Sequence, residues 1–276
     1  MVFNMSLNNG YIGVDKRIER TGVLSLDKHY LESLDRTIET ISTSGLVVWL
    51  DADDLALGTL TTWPDKSGQG NDFEQTNASY KPVVASGICN GHNGVTFTSD
   101  WLTCINDVEI LPHFSLFMVM KINNAIDSRA TRISFTENGG SYGYWVEHYY
   151  TKADSNQGKG LLRPSGSNYL KIALVTSYEA DYHIAEMHVH DGTHVQSASI
   201  FMNGNWINGE YMPAAPEAHM TPGKPRIGYR NSGETGGYLD GDICEVIIYN
   251  RYIYNTPEFI DVRNYLANKY AITLEG

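Results

Sequence analysis

The 276-residue sequence predicts an all-β sandwich, with an N-terminal arm plus short helix ahead of it and a C-terminal helix behind it. Three observations carry that prediction. Residues 46–73 hold two tryptophan-bearing apolar runs joined by acidic and glycine-rich loops, rich in the β-branched and aromatic side chains that fit a pleated surface. Residues 114–122 alternate with apolar side chains on both faces, the pattern of a central strand covered on two sides. Between such runs the chain is punctuated by short Gly, Asn and Asp clusters, which are turn chemistry.

Taken in order, residues 1–13 are polar and broken by Asn8-Asn9-Gly10, which suits an extended arm. Leu26, Tyr30, Leu34, Ile38 and Ile41 then recur at helical spacing, with Ser25 as N-cap and Asp27 in the first turn. A one-faced helix does not stabilise itself, so its stripe must pack on the sandwich, on copies of itself or on a partner. Residues 1–44 are therefore read as an anchoring and oligomerisation segment, and residues 45–276 as the sandwich. Strands are expected at 46–50, at 61–63 and from Tyr80-Lys81-Pro82-Val83 onward, with a hairpin in 87–94. Further strands are expected at 114–122, 133–135 and in 139–150. The 181–194 segment reads as a long strand entering an Asp191-Gly192 turn. A hairpin follows at 200–204, and a closing strand begins at Gly241. A glycine-rich loop at 229–238 precedes the closing strand. Thr256-Pro257 supplies a hydroxyl cap and a proline at the first helical position, so a helix runs toward Asn268 and covers the end of the sandwich.

Composition narrows the function classes. A net charge of −12 argues against nucleic acid, whose phosphates demand a basic face, and against anionic lipid. No basic n-region followed by a long apolar run marks a signal peptide, and no apolar stretch is long enough to span a membrane. Cys89, Cys104 and Cys244 are odd in number and match no zinc spacing, so free buried thiols and folding in a reducing cytoplasm are expected.

The strings W-L-D-A-D-D at 49–54 and W-P-D-K-S-G-Q-G-N-D at 63–72 resemble the opening of laminin-G-like, concanavalin A-like lectin/glucanase domains. Asn90-Gly91 through Phe97 with Asp100-Trp101-Leu102, the run 114–120, Ile200-Phe201-Met202-Asn203-Gly204, the strand 241–251 and Tyr265 to Tyr270 agree with further pieces of that pattern in the same order. The resemblance covers about residues 45–275 and implies a jelly-roll β-sandwich. Such domains occur in bacterial secreted proteins and in phage structural proteins, and residues 10–17 and 21–26 are similar to leader segments of phage virion proteins. The implied role is a virion protein, made in the host cytoplasm, that displays a lectin-like domain as a fibre, spike or tail component and binds host-surface polysaccharide. Residues 1–44 would contact other virion proteins, and a homotrimer is the implied assembly. The alternatives are a capsid or tail decoration protein without a ligand and an exported polysaccharide hydrolase, with a secreted or cell-surface location.

Candidate sites follow from residue chemistry. The aromatic-dense strand and the later loops offer Tyr144, Trp145, Tyr149, Trp206 and Tyr229 as stacking platforms for sugar rings, with Asn231 and Glu234 as hydroxyl partners. Asp65, Ser67 and Asn71, with Asp51 or Asp53, are candidate oxygen ligands of a calcium ion, the rival being a turn that satisfies its own hydrogen bonds. Glycosidase chemistry needs paired carboxyl groups. Glucanases of the resembled type carry them as Glu-x-Asp-x-x-Glu or Glu-x-Asp-x-Glu; neither string occurs, and Glu147 and Glu186 lack acidic neighbours at that spacing, so no enzyme is expected. Glu186, His188 and His190 share one face of a strand, but strand rise separates the outer two by about 13 Å. They are therefore read as facing solvent or glycan rather than holding a metal.

Overall fold

The computed structural model describes residues 6–8, 11–13, 41–108, 113–122, 133–136, 145–150, 158–165, 168–173, 181–190, 198–206, 223–229 and 238–275. The chain divides into two compact units, residues 1–40 and 41–276. In the first, β1 (Ser6–Asn8) pairs antiparallel with β2 (Tyr11–Gly13), Asn8 opposite Tyr11. The extended arm expected there is thus a hairpin, and the intervening Asn9-Gly10 is the dipeptide that favours tight hairpin connections. The helix expected from Leu26 lies outside the described residues.

The second unit is an antiparallel β-sandwich. Its strands are β3 (Leu46–Asp51), β4 (Gly58–Thr59), β5 (Thr62–Trp63), β6 (Phe73–Glu74), β7 (Val83–Cys89), β8 (His92–Thr98), β9 (Leu102–Cys104), β10 (Phe114–Ile122), β11 (Ile133–Thr136), β12 (Trp145–Tyr150), β13 (Gly158–Ser165), β14 (Asn168–Ala173), β15 (His183–Val189), β16 (Ala198–Met202), β17 (Asn205–Trp206), β18 (Lys224–Ile227) and β19 (Asp240–Tyr249). One sheet has the order β17-β16-β15-β10-β19-β8-β7-β4, with β3 also paired to β19; the other has the order β14-β13-β12-β11-β18-β9-β6-β5. The strand expected from Tyr80 begins at Val83 instead, because Ala78–Tyr80 forms a 3-10 turn whose Ser79 N–H is capped by the Asn77 side chain.

Each sheet buries one face in a shared interior. Trp63, Phe73, Leu102, Ile133 and Ile227 of the smaller sheet share that cluster with Val48, Leu50, Phe97, Leu116, Met118, Val246 and Ile248 of the larger. The larger sheet buries its second face as well. Leu46, Phe117, Val119, Ile184, Ile247 and Tyr249 pack with Phe259, Val262, Leu266 and Tyr270. Most of these partners come from the helix Pro257–Lys269, which the Thr256 hydroxyl caps by accepting from Phe259 N at 3.3 Å. The helix therefore covers a sheet face and not the end of the sandwich. Residues three and four apart line its inner side, which is why one stripe suffices.

That cover corrects the reading of β15. Glu186 and His188 are fully buried rather than solvated. Glu186 accepts from Arg263 Nε of the helix at 2.8 and 2.9 Å and lies 3.2 Å from His188 Nε2. Rings of Phe117, Phe201, Phe259 and Tyr254 surround the imidazole at 5.0–6.0 Å.

The cysteines also depart from expectation. Cys89, at the end of β7, is disulfide-bonded to Cys244 of β19, 155 residues away, with Cα atoms 6.1 Å apart. Only Cys104 is a free, buried thiol, and burial pushes it up to about 11. On the chain-entropy account, closing a loop of that length stabilises by about 5 kcal/mol. A Cβ at Gly94 of the adjacent β8 would stand 2.9 Å from the Cys89 sulfur, so the space beside the bridge requires a glycine.

Burial pushes His188 below its ordinary value, against the pull of Glu186. The unfolded chain takes up that proton near pH 6.5 and the folded chain does not, so stability falls as the pH drops below about 6.5. Urea midpoints of the wild type should decline between pH 7 and 5, and the decline should be shallower in His188→Gln. Equal slopes in both proteins would refute the burial argument.

Candidate functional site

Three loops meet at one rim of the sandwich and deliver four aromatic rings, two of them from the connection between β18 and β19. Tyr80 ends the 3-10 turn after β6, Trp101 precedes β9, Tyr229 follows β18 and Tyr238 precedes β19. Their backbones are tied together. Trp101 N donates to the Tyr80 carbonyl at 3.3 Å, and the Trp101 carbonyl accepts from Gln75 Nε2 at 3.1 Å. Leu239 N donates to the Gly228 carbonyl at 2.9 Å, and Ser134 Oγ donates to the Tyr229 carbonyl at 3.2 Å. Gly228 has φ +87°, and a Cβ there would stand 2.5 Å from the Asp100 carbonyl oxygen and 2.6 Å from the Phe97 ring. Only glycine lets the end of β18 lie against the loop that carries Trp101.

The rings form a continuous platform. Tyr80 and Trp101 have centroids 4.0 Å apart, Trp101 lies 5.4 Å from Tyr229 and 6.0 Å from Tyr238, and the last two stack at 4.4 Å with planes 19° apart. All four residues are half-buried, so each ring packs on its neighbours while part of it meets solvent. Two charged groups flank them. Burial raises the Asp100 carboxyl, a shift that the hydrogen bond from Thr98 N opposes, and burial lowers the Arg226 guanidinium. Such a surface can stack an apolar ring face and offer a charged edge to its substituents.

The sandwich has a second concentration of charge, and it is closed on itself. The fully buried Glu245 of β19 accepts from Trp49 Nε1 at 2.7 Å, Lys269 Nζ at 2.9 Å and Tyr270 OH at 2.9 Å. Asp51 accepts from Lys66 and Lys269 at 2.9 and 2.7 Å, and Asp53 lies 2.7 Å from His92 Nδ1. Burial opposes the charge on Lys269, but Glu245 and Asp51 outweigh it and raise the ammonium above its ordinary value.

Asp65, Ser67 and Asn71 do converge, and on one another. Asp65 Oδ1 accepts from Trp49 N and Ser67 N at 2.8 and 2.9 Å, and its Oδ2 accepts from Ser67 Oγ and Asn71 N at 2.6 and 3.0 Å. A carboxylate offers about four lone-pair sites, and all are met by protein donors. The Asn71 amide donates to the Val47 carbonyl at 2.8 Å. This is the geometry of the self-satisfied turn. Among the described residues, no three His, Cys, Asp or Glu side chains gather as a metal site.

Of the expected glycan-binding residues, Tyr229 belongs to the aromatic rim. Tyr144, Asn231 and Glu234 lie outside the described residues. Trp145 and Tyr149 are described as backbone of β12, where Trp145 pairs with Ser134, the residue that holds the Tyr229 carbonyl. Trp206 is in β17, paired with Phe201 on the outermost strand of the other sheet. The rim adds Tyr238, from the far end of the loop that begins with Tyr229, and Tyr80 and Trp101, which stand singly in two other loops. The only local signal is the punctuation beside them, with Ser99 at φ 67° and Gly228 at φ 87°.

No family model matches the chain, and no curated protein matches it. Solved structures do. Trypanosoma rangeli sialidase in complex with sialic acid matches with a TM-score of 0.53 at 14% identity, over 83% of this chain and 34% of that chain. The same sialidase with the inhibitor DANA gives 0.54. The binding domain of botulinum neurotoxin DC in complex with rat synaptotagmin II matches with 0.51 at 14% identity, over 84% of this chain and 52% of that one. The chain thus spans about a third of the sialidase and about half of the toxin chain. These likenesses establish the β-sandwich. They also correct the expectation that the chain is set apart from enzymes, since the chains sharing its fold include sialidases.

Asp65→Ala should lower stability by about 2–4 kcal/mol, since it strips the acceptor from three backbone N–H groups and a hydroxyl. The wild-type Tm should be the same in millimolar calcium and in chelator. A Tm that rises with calcium would mean that the loop binds the ion.

Proposed function

We propose that the sandwich is a carbohydrate-binding domain whose ligand lies against Tyr80, Trp101, Tyr229 and Tyr238. The observation that carries this reading is the platform itself, four half-exposed rings from three loops held in mutual stacking distance by backbone hydrogen bonds. Pyranose rings have apolar faces that suit such planes. The fold is shared with a sialidase bound to sialic acid, which supports a sugar as ligand, and with a toxin domain bound to synaptotagmin, which makes a protein receptor the second reading. A half-exposed aromatic cluster costs hydration without gaining full burial, and ligand stacking accounts for that arrangement.

The finer role is a phage virion component that displays this domain toward host-surface polysaccharide, supported by the resemblance of residues 45–275 and of the leader segments. Each stacking contact contributes about 1 kcal/mol, so attachment relies on many copies, as a trimeric fibre on a particle supplies them. Residues 1–44 would join the domain to other virion proteins. Deleting residues 1–40 should then leave glycan retention intact and abolish incorporation into particles. Incorporation of the shortened chain would rule out that anchoring role.

The test of the site is retention on immobilised host polysaccharide. Trp101→Ala should weaken retention by about tenfold, the equivalent of ~1.4 kcal/mol of stacking. Its near-UV dichroism outside the lost indole band should be unchanged. Wild-type retention in both Trp101→Ala and Tyr229→Ala would sink the reading.

A further inference from the structure

Among the described residues, Arg226 beside the platform has no counter-charge. It lies in β18, three residues before Tyr229, and strand alternation gives it a definite face. Pro225 and Ile227 are buried, whereas Lys224 and Arg226 are half-buried on the other side. Its register partners are Thr103 of β9 and Ser134 of β11, both uncharged. The next residue along that row is Glu74, whose carboxylate accepts from Thr62 Oγ1 at 3.5 Å. Among the described residues the Arg226 side chain makes no ion pair and no hydrogen bond, and the charged or polar group acting on it is the Tyr229 phenol.

Among the described side chains of the same unit Lys81, Lys121 and Lys224 also make no ion pair, but the arginines other than Arg226 do. Lys66 pairs with Asp51 and Asp54, Lys269 with Asp51 and Glu245, Arg251 with Glu258, and Arg263 with Glu186. The chain has 32 acidic residues against 20 lysines and arginines, so carboxylates are plentiful and the missing partner is not a matter of supply. A guanidinium stays charged at any working pH, and its partial burial without a partner among the described residues costs free energy. A ligand that brings the partner recovers that cost.

Resting on the carbohydrate reading of the platform, we infer that the ligand is an acidic glycan whose sugar carboxylate pairs with Arg226 while its ring stacks on Tyr229 and its neighbours. The planar guanidinium fork matches a carboxylate in two parallel hydrogen bonds, which a point charge does not. A pyranose carboxylate projects from the ring edge, so a sugar lying on Tyr229 presents it beside the ring, toward the strand that carries Arg226. The overall charge of −12 repels acidic polymers at long range, so a local cation is needed for any such ligand to bind.

The test uses the intact 276-residue chain in affinity electrophoresis on polygalacturonate and polysialic acid, each run beside its methyl ester. The ester keeps the rings and removes the charge. The wild type should be retained at least tenfold more strongly, by the usual strength of a charge-assisted hydrogen bond, on one of the free acids than on its ester. Arg226→Gln should fall to the level of the ester and keep the weaker retention of the ester itself. Equal retention of acid and ester by the wild type, or an acid preference that survives Arg226→Gln, overturns the inference. If ester and acid are retained alike and Trp101→Ala abolishes both, the platform reading stands and the acidic ligand falls. Absence of retention on every polymer overturns both.

Discussion

A carboxylate buried in the middle strand of the larger sheet sets the terms for its surroundings. Glu245 lies on β19, which pairs with β10 along one edge and shares its other edge between β3 and β8. Burial and the nearby Asp51 push its carboxyl upward, and the group is tolerated because Lys269, Tyr270 and Trp49 all donate to it. Those donors come from the C-terminal helix, the residue after it and β3. Removing one partner of a buried pair costs about 3–5 kcal/mol, because the remaining charge is left without compensation. The same interaction therefore fixes the helix on the sheet, and the helix in turn covers Glu186 and His188.

The two-sided burial of the larger sheet leaves the ligand recognition proposed above to its loops and to the other sheet. A sandwich holds its loop ends in place with strand pairing, and rings carried on them need little further support. At the rim this support is visible in backbone detail, from the close approach of Gly228 to Asp100 to the double tether on Trp101. Stacked rings held this way would lose little freedom on binding the proposed sugar, so weak contacts would not be further weakened by ordering.

The disulfide and the lone thiol divide the work of three cysteines. Cys89 and Cys244 join the end of β7 to the central strand from the outer-face cluster, and Cys104 fills space in the sandwich interior. A thiol pushed up to about 11 is a poor nucleophile, so Cys104 acts as a small apolar side chain.

The all-β class, the apolar strands at 46–51 and 114–122, the Asn203-Gly204 turn and the capped helix from Pro257 were legible in the sequence, because alternation, turn dipeptides and hydroxyl caps act over a few residues. The Cys89–Cys244 bridge, the burial of Glu186 and His188, and the position of the helix over a sheet face were decided by tertiary structure. Each depends on residues far apart in the chain whose approach is set by strand order, which no local pattern encodes. The site divides in the same way: Tyr229 could be chosen by type, and Tyr238 ends the same loop, whereas Tyr80 and Trp101 became its neighbours only when strand order brought their loops to one rim.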